Sequence, residues 1–322
     1  MSWMVDPRRC GSQSNRPIDR PIFLLGTQGG GLTLLSRMLR RHSAVICGGG
    51  GSRYWTSADE IQNIYGAILP AELTGLRYKA PPHPEFPVPR SWTYAVGELL
   101  PQYRKRAADA TPELEQALRQ IIQFSAARHA VRGQSYRFLD KSQTTSVRVG
   151  LFNQLLKESN PRFVLVPRDP YVSVFRAASG KAADMRRLSE NMPWERRVDV
   201  CAEHYANSML ATFEDCDRDG IELHVIQFER LLEQPRESLQ SVCEFVGLEY
   251  CDSLLPGPAD QLPLGSRFLD RWYPLRPGVN DRYDSIIDDV SIEAVNRQCG
   301  TLTTRLGYDL RELSDGRPSR AA

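Results

Sequence analysis

A glycine-rich turn lies between a short apolar run and an amphipathic segment near the start of the chain. The run Ile22–Leu25 is entirely apolar, residues 26–31 contain four glycines, and apolar residues recur at helical spacing through residue 39. Glycine lets backbone N–H groups crowd around one point, and the first turn of a helix adds its positive dipole end. The pattern therefore predicts a cradle for an anionic group, made by Gln28, Gly29, Gly30, Gly31, Leu32 and Thr33.

This turn differs from the nucleotide phosphate loop, G-x-x-x-x-G-K-[ST], because it contains no lysine. In that loop the lysine reaches the β and γ phosphates of the nucleotide. The difference argues against a kinase or another nucleotide phosphotransferase, although that class stays an alternative.

Two cations follow two later predicted strands. Lys141 comes directly after the strand at residues 136–140, and Arg168 comes directly after the strand at residues 162–167. In a parallel sheet, ligands bind at the carboxyl ends of the strands. We therefore expect both cations near the glycine turn, in a site for a ligand with two separate anionic groups. The guanidinium of Arg168 is suited to a phosphate because it can donate two parallel hydrogen bonds.

The order of predicted elements indicates an α/β fold with three layers and a central parallel sheet. Helices are predicted at residues 147–158, 171–178, 194–215 and 235–246, and a further strand at residues 221–228. Asp169 is expected to cap the second of these helices, and Gly247 to end the last. We expect one domain over residues 21–313, with a helical insertion at about residues 54–135 and disordered tails at residues 1–20 and 314–322.

Composition narrows the possible partners and compartment. The net charge of the 322 residues is only +2, so bulk charge gives no indication of nucleic acid binding. No apolar run reaches the roughly 18 residues that a membrane-spanning helix needs. The seven cysteines are dispersed, which predicts reduced thiols in the cytoplasm and neither a disulfide framework nor a metal site. The oligomeric state is not predicted.

Four segments of the chain together resemble motifs of the PAPS-dependent sulfotransferases. Residues 21–39 resemble the 5′-phosphosulfate loop, P-[RK]-S-G-T-T-x-L, and residues 138–142 resemble E/D-K-[ST]-P, with Gln143 in place of the proline. Residues 162–170, RFVLVPRDP, are similar to the 3′-phosphate motif. Residues 228–231 and 243–248 are similar to a late pair of segments, YEDL and eFLGl.

The resemblance implies a sulfotransferase fold like that of the P-loop NTPases, and transfer of a sulfuryl group from 3′-phosphoadenosine 5′-phosphosulfate (PAPS) to a hydroxyl or amine. Its acceptor would be a small molecule, a carbohydrate or a lipid, and its product 3′-phosphoadenosine 5′-phosphate (PAP). The amides of residues 29–33 and the Thr33 hydroxyl would hold the 5′-phosphosulfate, and Arg168 the 3′-phosphate. Lys141 would stabilise charge on the departing phosphate, since such transfers depend on in-line positioning and neutralisation of the leaving group.

The chain departs from the family pattern at several positions. Gly29 stands where the family has Arg or Lys, and Arg176 stands eight residues after Arg168, where the family has Ser. Arg176 could reach the same phosphate or be a surface charge. Gly49 occupies the place of a glutamate that serves as general base in one branch, so a non-catalytic member of the fold stays an alternative.

The general base is therefore sought among the nearest ionisable side chains, because transfer to a hydroxyl needs a proton acceptor. The candidates are Asp59, Glu60 and His83. Glu60 is preferred because it opens the helix predicted after the glycine run, although a charge in that place also simply suits a helix N-terminus.

Overall fold

The computed structural model describes residues 16–49, 59–75, 93–181, 192–257, 262–263, 272–273 and 275–313. Residues 1–15 and 314–322, which make up most of the two predicted tails, lie outside these ranges, as does His83. Within the segment predicted as the N-terminal tail, Ile18 is buried and the Arg20 N–H donates to the Ser159 carbonyl at 2.7 Å. Contacts with the domain therefore begin before the first strand.

Five parallel strands form the central sheet, in the order β2-β3-β1-β4-β5. They are β1 (Ile22–Leu25), β2 (Val45–Cys47), β3 (Arg137–Asp140), β4 (Arg162–Leu165) and β5 (Leu223–Val225). The central strand β1 is completely buried and pairs with β3 and β4. The carboxyl ends of β1, β3 and β4 therefore lie side by side, which confirms the predicted parallel sheet. Two short antiparallel strands, β6 (Leu262–Pro263) and β7 (Trp272–Tyr273), form a separate pair.

The edge strand β2 was not predicted from the sequence. The strand predicted at residues 136–140, the second predicted strand, is therefore the third strand of the chain, β3. β2 has only three residues and pairs with β3 alone. Strand β5 is shorter than predicted, because the chain turns into a helix at Phe228 and Ile221 still bonds to the preceding helix through the Cys216 carbonyl. Short strands of this kind give a weak sequence pattern, and pairing with the sheet decides their extent.

The helices of the described residues cover both faces of the sheet. Asp169 caps the helix Pro170–Ala178 by accepting a hydrogen bond from the Val172 N–H at 3.1 Å, and the helix Pro235–Val246 ends at Gly247 in the left-handed conformation, both as predicted. The helices are α1 (Leu32–Leu39), α2 (Ile61–Ile64), α3 (Ala71–Thr74), α4 (Leu100–Tyr103), α5 (Pro112–His129), α6 (Val149–Leu155), α7 (Pro170–Ala178), α8 (Trp194–Asp219), α9 (Phe228–Glu233), α10 (Pro235–Val246) and α11 (Asp289–Arg305).

The core is divided by the sheet into two apolar clusters. Ile22 and Leu24 pack with α1, α9 and α10 on one face, whereas Phe23 and Leu25 pack with α5, α6 and α8 on the other. Successive strand residues point to opposite faces, so an entirely apolar β1 requires a helical layer on each side. This arrangement confirms the three-layer α/β fold.

The described parts of the predicted insertion, residues 59–75 and 93–135, contain helices and no strand. Tyr65 and Tyr94 belong to its buried core. No helix among the described residues has both the length and the apolar character needed to cross a membrane.

Candidate functional site

The glycine turn follows β1 and leads directly into α1. Gly31 is the residue before α1 and has a φ of 99°, a left-handed conformation that favours glycine. A β-carbon at this position would overlap the ring of Phe228. At the start of the turn, the Gly26 N–H donates to the Ser146 hydroxyl at 3.0 Å. Both the conformation and the close approach of Phe228 therefore require glycine at position 31.

Most backbone donors of the turn are free to bind a ligand. Within the described residues, the N–H groups of Gly29, Gly31, Leu32 and Thr33 donate to no acceptor, and no side chain caps α1. The Gly30 N–H differs, because it donates to the Thr27 carbonyl at 3.2 Å and so shapes the turn. The cradle thus offers four N–H groups at the positive end of a helix, an arrangement suited to a phosphate or phosphosulfate.

Arg168 lies beside the glycine turn, on the loop between β4 and α7. Its Nη1 donates to the Gly29 carbonyl at 3.1 Å, and its Nε donates to Asn280 Oδ1 at 3.0 Å. The guanidinium also stacks over the ring of Phe228, 4.7 Å from the ring centre. Burial, together with the nearby charge of Arg176, lowers the pKa of Arg168 to about 10, so it remains a cation at neutral pH. The position of Arg168 agrees with the prediction that a cation at the end of this strand lies near the glycine turn.

Arg168 is oriented by a network that sequence reasoning missed. Glu229 accepts hydrogen bonds from the Asn280 side chain, from the Asp169 N–H at 3.0 Å and from the Tyr308 hydroxyl at 2.7 Å. Glu229 lies in the segment 228–231, which resembles YEDL, but the resemblance gave this residue no role. Asn280 follows Arg168 by 112 residues, and the sequence around Asn280 contains no recognisable motif.

Arg176 lies in a positively charged cluster next to Arg168. Its guanidinium donates to the Tyr283 hydroxyl, which also accepts from Arg282 at 3.1 Å, and Lys181 Nζ lies 5.7 Å from the centre of the same ring. Burial alone would raise the pKa of Tyr283, but the cations around it outweigh that effect and lower its pKa. The cluster can therefore attract an additional negative charge to the side of the site that holds Arg168.

Lys141 follows β3 and is held by two carboxylates. Its side chain is only 1% exposed, its Nζ donates to Glu60 Oε1, and Asp59 Oδ1 lies 3.4 Å from Nζ. Burial alone would lower the pKa of Lys141, but the charges of Asp59 and Glu60 outweigh it and raise the pKa. The ammonium therefore stays charged inside the protein.

The two carboxylates have different surroundings. The Asp59 side chain is 1% exposed and accepts hydrogen bonds from Ser36 and from Arg40 at 3.5 Å. The Glu60 side chain is 8% exposed, and its Oε2 accepts from the amides of Asn63 and Gln62. Asp59 is thus enclosed by α1 and Lys141, and Glu60 is the more accessible of the two.

Asp140, the last residue of β3, joins this cluster to α2. Its Oδ1 accepts from the Ile61 N–H at 2.7 Å and from the Ser142 hydroxyl at 2.9 Å, and its Oδ2 accepts from the Ser142 N–H at 3.1 Å. Burial raises the pKa of Asp140 to about 7, although these three hydrogen bonds oppose the shift. Asp140 therefore fixes the turn that carries Lys141.

We expect Asp140→Asn to remove a pH dependence of stability. A carboxyl with a pKa near 7 in the folded state and near 4 in the unfolded state binds its proton more tightly when folded. The wild type should therefore lose free energy of unfolding as the pH rises from 4 to 7, and the variant should not show this contribution. Urea unfolding at several pH values measures the difference between the two proteins. A difference that stays constant over this window would contradict the expectation.

The fold and the site together define an α/β protein with a cradle of backbone N–H groups beside a buried arginine, Arg168. The chain matches the family model described as "Sulfotransferase family" over residues 21–252, which is more than half of its length. The protein therefore belongs to the sulfotransferase family.

The solved structures that share this fold include two sulfotransferases. The sulfotransferase domain from the curacin biosynthetic pathway is 15% identical, with a TM-score of 0.52, and the alignment covers 92% of this chain and 100% of that one. The sulfotransferase STF9 from Mycobacterium avium is 13% identical, also with a TM-score of 0.52, with coverage of 92% and 79%. None of the curated proteins compared with the chain matches it.

Proposed function

We propose that this protein is an enzyme that transfers a sulfuryl group from PAPS to a hydroxyl or amine of a small-molecule, carbohydrate or lipid acceptor. The observation that carries the proposal is the juxtaposition of Arg168 with a glycine turn that offers four unused N–H groups. A ligand with two separate phosphate groups, one of them next to a sulfuryl group, could use both the anion cradle and the guanidinium. The proposal includes a cytoplasmic location, which rests on the dispersed cysteines of the sequence.

The residues of the site divide between binding and chemistry. Gly29, Gly31, Leu32 and Thr33 would hold the 5′-phosphosulfate through their N–H groups, and Arg168 would hold the 3′-phosphate. Arg176 supports Arg168 with additional positive charge. PAPS supplies an activated sulfuryl group. The cradle suits a phosphosulfate because no side chain caps the N–H groups at the start of α1, which leaves them available to a ligand.

Glu60 and Lys141 would carry the proton and the leaving-group charge. The bond between the acceptor oxygen or nitrogen and sulfur forms while the bond between sulfur and the phosphate oxygen breaks. Glu60 accepts the proton from the acceptor, and Lys141 neutralises the charge that develops on the phosphate oxygen. Glu60 is preferred to Asp59 because its side chain is 8% exposed, whereas that of Asp59 is 1% exposed.

Turnover with radiolabelled PAPS tests the proposal. The acceptor panel should include a phenol, a sugar, a long-chain alcohol and a tyrosine-containing peptide, since the acceptor class is open. Transfer to at least one of them is the expected result. Binding of PAP without transfer to any acceptor would favour a non-catalytic donor-binding protein of the same fold.

We expect Arg168→Ala to weaken the affinity for PAP by at least about tenfold, because it removes a charge-assisted pair with a phosphate. Arg168→Lys should be intermediate, since it keeps the charge and loses the bidentate geometry. Isothermal titration calorimetry with PAP measures the effect. Arg236→Ala is a matched control, because Arg236 is an exposed arginine on α10 that forms an ion pair with Asp252 and lies over the ring of Tyr250. An unchanged affinity in Arg168→Ala would contradict the role of Arg168.

A further inference from the structure

A buried amide connects Glu60 to the segment that follows Lys141. Gln62 is 0% exposed, and its Nε2 donates to Glu60 Oε2 at 3.3 Å and to Gln143 Oε1 at 2.6 Å. Its Oε1 accepts from the Thr144 hydroxyl at 2.9 Å and from the Thr144 N–H at 3.5 Å. The carboxamide of Gln62 therefore uses its donors on one side and its acceptor on the other.

The chemistry of these neighbours fixes the orientation of both glutamines. A carboxylate can only accept and a backbone N–H can only donate, so Gln62 must direct its nitrogen to Glu60 and its oxygen to Thr144. The same nitrogen faces Gln143, so the atom of Gln143 that it meets must be the oxygen. The NH2 group of Gln143 is consequently the opposite, outward end of its carboxamide.

The outward NH2 group of Gln143 makes no hydrogen bond within the described part of the chain. Gln143 keeps 7% of its surface exposed, in contrast to the enclosed Gln62, and it lies two residues after Lys141. The NH2 group retains solvent-accessible surface, so a ligand oxygen can reach it and replace water as its hydrogen-bond partner. A chain of hydrogen bonds connects the Gln143 oxygen, through the Gln62 amide and the Glu60 carboxylate, to the ammonium of Lys141, and so fixes the carboxamide that carries this donor.

We propose that Gln143 is a further catalytic residue whose NH2 group donates a hydrogen bond to a non-bridging oxygen of the sulfuryl group during transfer, with Gln62 as its positioning residue. This inference rests on the proposed function. A fixed donor aimed at developing charge stabilises the transition state more than the ground state. It also supplies a donor in a site where Gly29 stands in the place of a cation.

The test compares Gln143→Leu with the wild type and with Gln240→Leu, a matched control on the exposed surface of α10. With radiolabelled PAPS and the acceptor found by turnover screening, kcat of Gln143→Leu should fall by about 10²-fold. The PAP affinity from calorimetry should change by less than about threefold, because the hydrogen bond forms with the sulfuryl group, which PAP lacks. A kcat within about threefold of the wild type, or a parallel loss of PAP affinity, would overturn the inference.

Gln62→Met tests the positioning role separately. We expect it to lower kcat and preserve PAP affinity, and we expect the double variant Gln62→Met/Gln143→Leu to be no slower than Gln143→Leu alone. Residues that act as a unit are non-additive in this way. Fully additive losses would refute the positioning of Gln143 by Gln62. A wild type that transfers sulfate to no acceptor would instead refute the proposed function itself, so the two failures are distinguishable.

Discussion

Substitution of Lys141 by methionine is expected to lower kcat for sulfuryl transfer by about 10²- to 10³-fold, the usual cost of removing one preorganised charge or donor from a transition state. The affinity for PAP should fall much less, because the turn and Arg168 provide most of the contacts proposed for it. Turnover with radiolabelled PAPS and calorimetry with PAP separate the two effects. Lys157→Met is the matched control, since Lys157 is exposed in the turn after α6.

Lys141 also has a structural role that the experiment must account for. Its ammonium neutralises two buried carboxylates, and removing one partner of a buried ion pair costs about 3–5 kcal/mol. The double variant Lys141→Met/Glu60→Gln removes a charge of each sign and should recover stability relative to Lys141→Met. It should not recover activity, because both proposed catalytic groups are then absent.

Glu60→Gln completes a cycle of four proteins. If Glu60 and Lys141 act as a unit, the two single variants and the double variant should have similar residual kcat values. Full activity in Glu60→Gln would assign the proton acceptor to another group. Full activity in a folded Lys141→Met/Glu60→Gln protein would refute the catalytic role of Lys141 as well.

The positions of the main site residues could be predicted because parallel sheets obey a simple rule. Lys141 and Arg168 each follow a strand, and strands that are parallel end at the same edge. The prediction needed only the strands β3 and β4 and their direction. The glycine turn was predictable for a similar reason, since an apolar strand, glycines and an amphipathic helix are consecutive in the chain.

The partners of these cations were not predictable, because they come from distant segments. Glu60 precedes Lys141 by 81 residues, and the ion pair depends on how α2 docks against the end of β3. Asn280 is held beside Arg168 by its hydrogen bond to Glu229, which also accepts from the Tyr308 hydroxyl. Such contacts are set by tertiary packing, which leaves no local periodicity in the sequence.

Asp215→Ala is expected to lower the free energy of unfolding by about 3–5 kcal/mol, because it leaves the buried Arg104 with only the exposed carboxylate of Glu214, at 3.6 Å, as an ion-pair partner. Asp215 is 0% exposed and accepts two hydrogen bonds from Arg104, at 2.6 and 2.7 Å. It also accepts from the Gly150 N–H at 2.8 Å and from Arg218 at 2.8 Å. One carboxylate on α8 thus joins the segment predicted as an insertion, through Arg104, to the start of α6.

Asp217→Ala provides the matched control, since it removes the same group two residues further along α8. Asp217 is 64% exposed and pairs with an exposed arginine, Arg305, so its loss should cost no more than about 1 kcal/mol. The urea midpoint, compared at equal slope, measures both variants. Replacing both partners, as in Arg104→Met/Asp215→Leu, should recover part of the loss, because no unpaired charge then remains buried. Equal midpoints for Asp215→Ala and Asp217→Ala would mean that the insertion is not held to α8 by this ion pair.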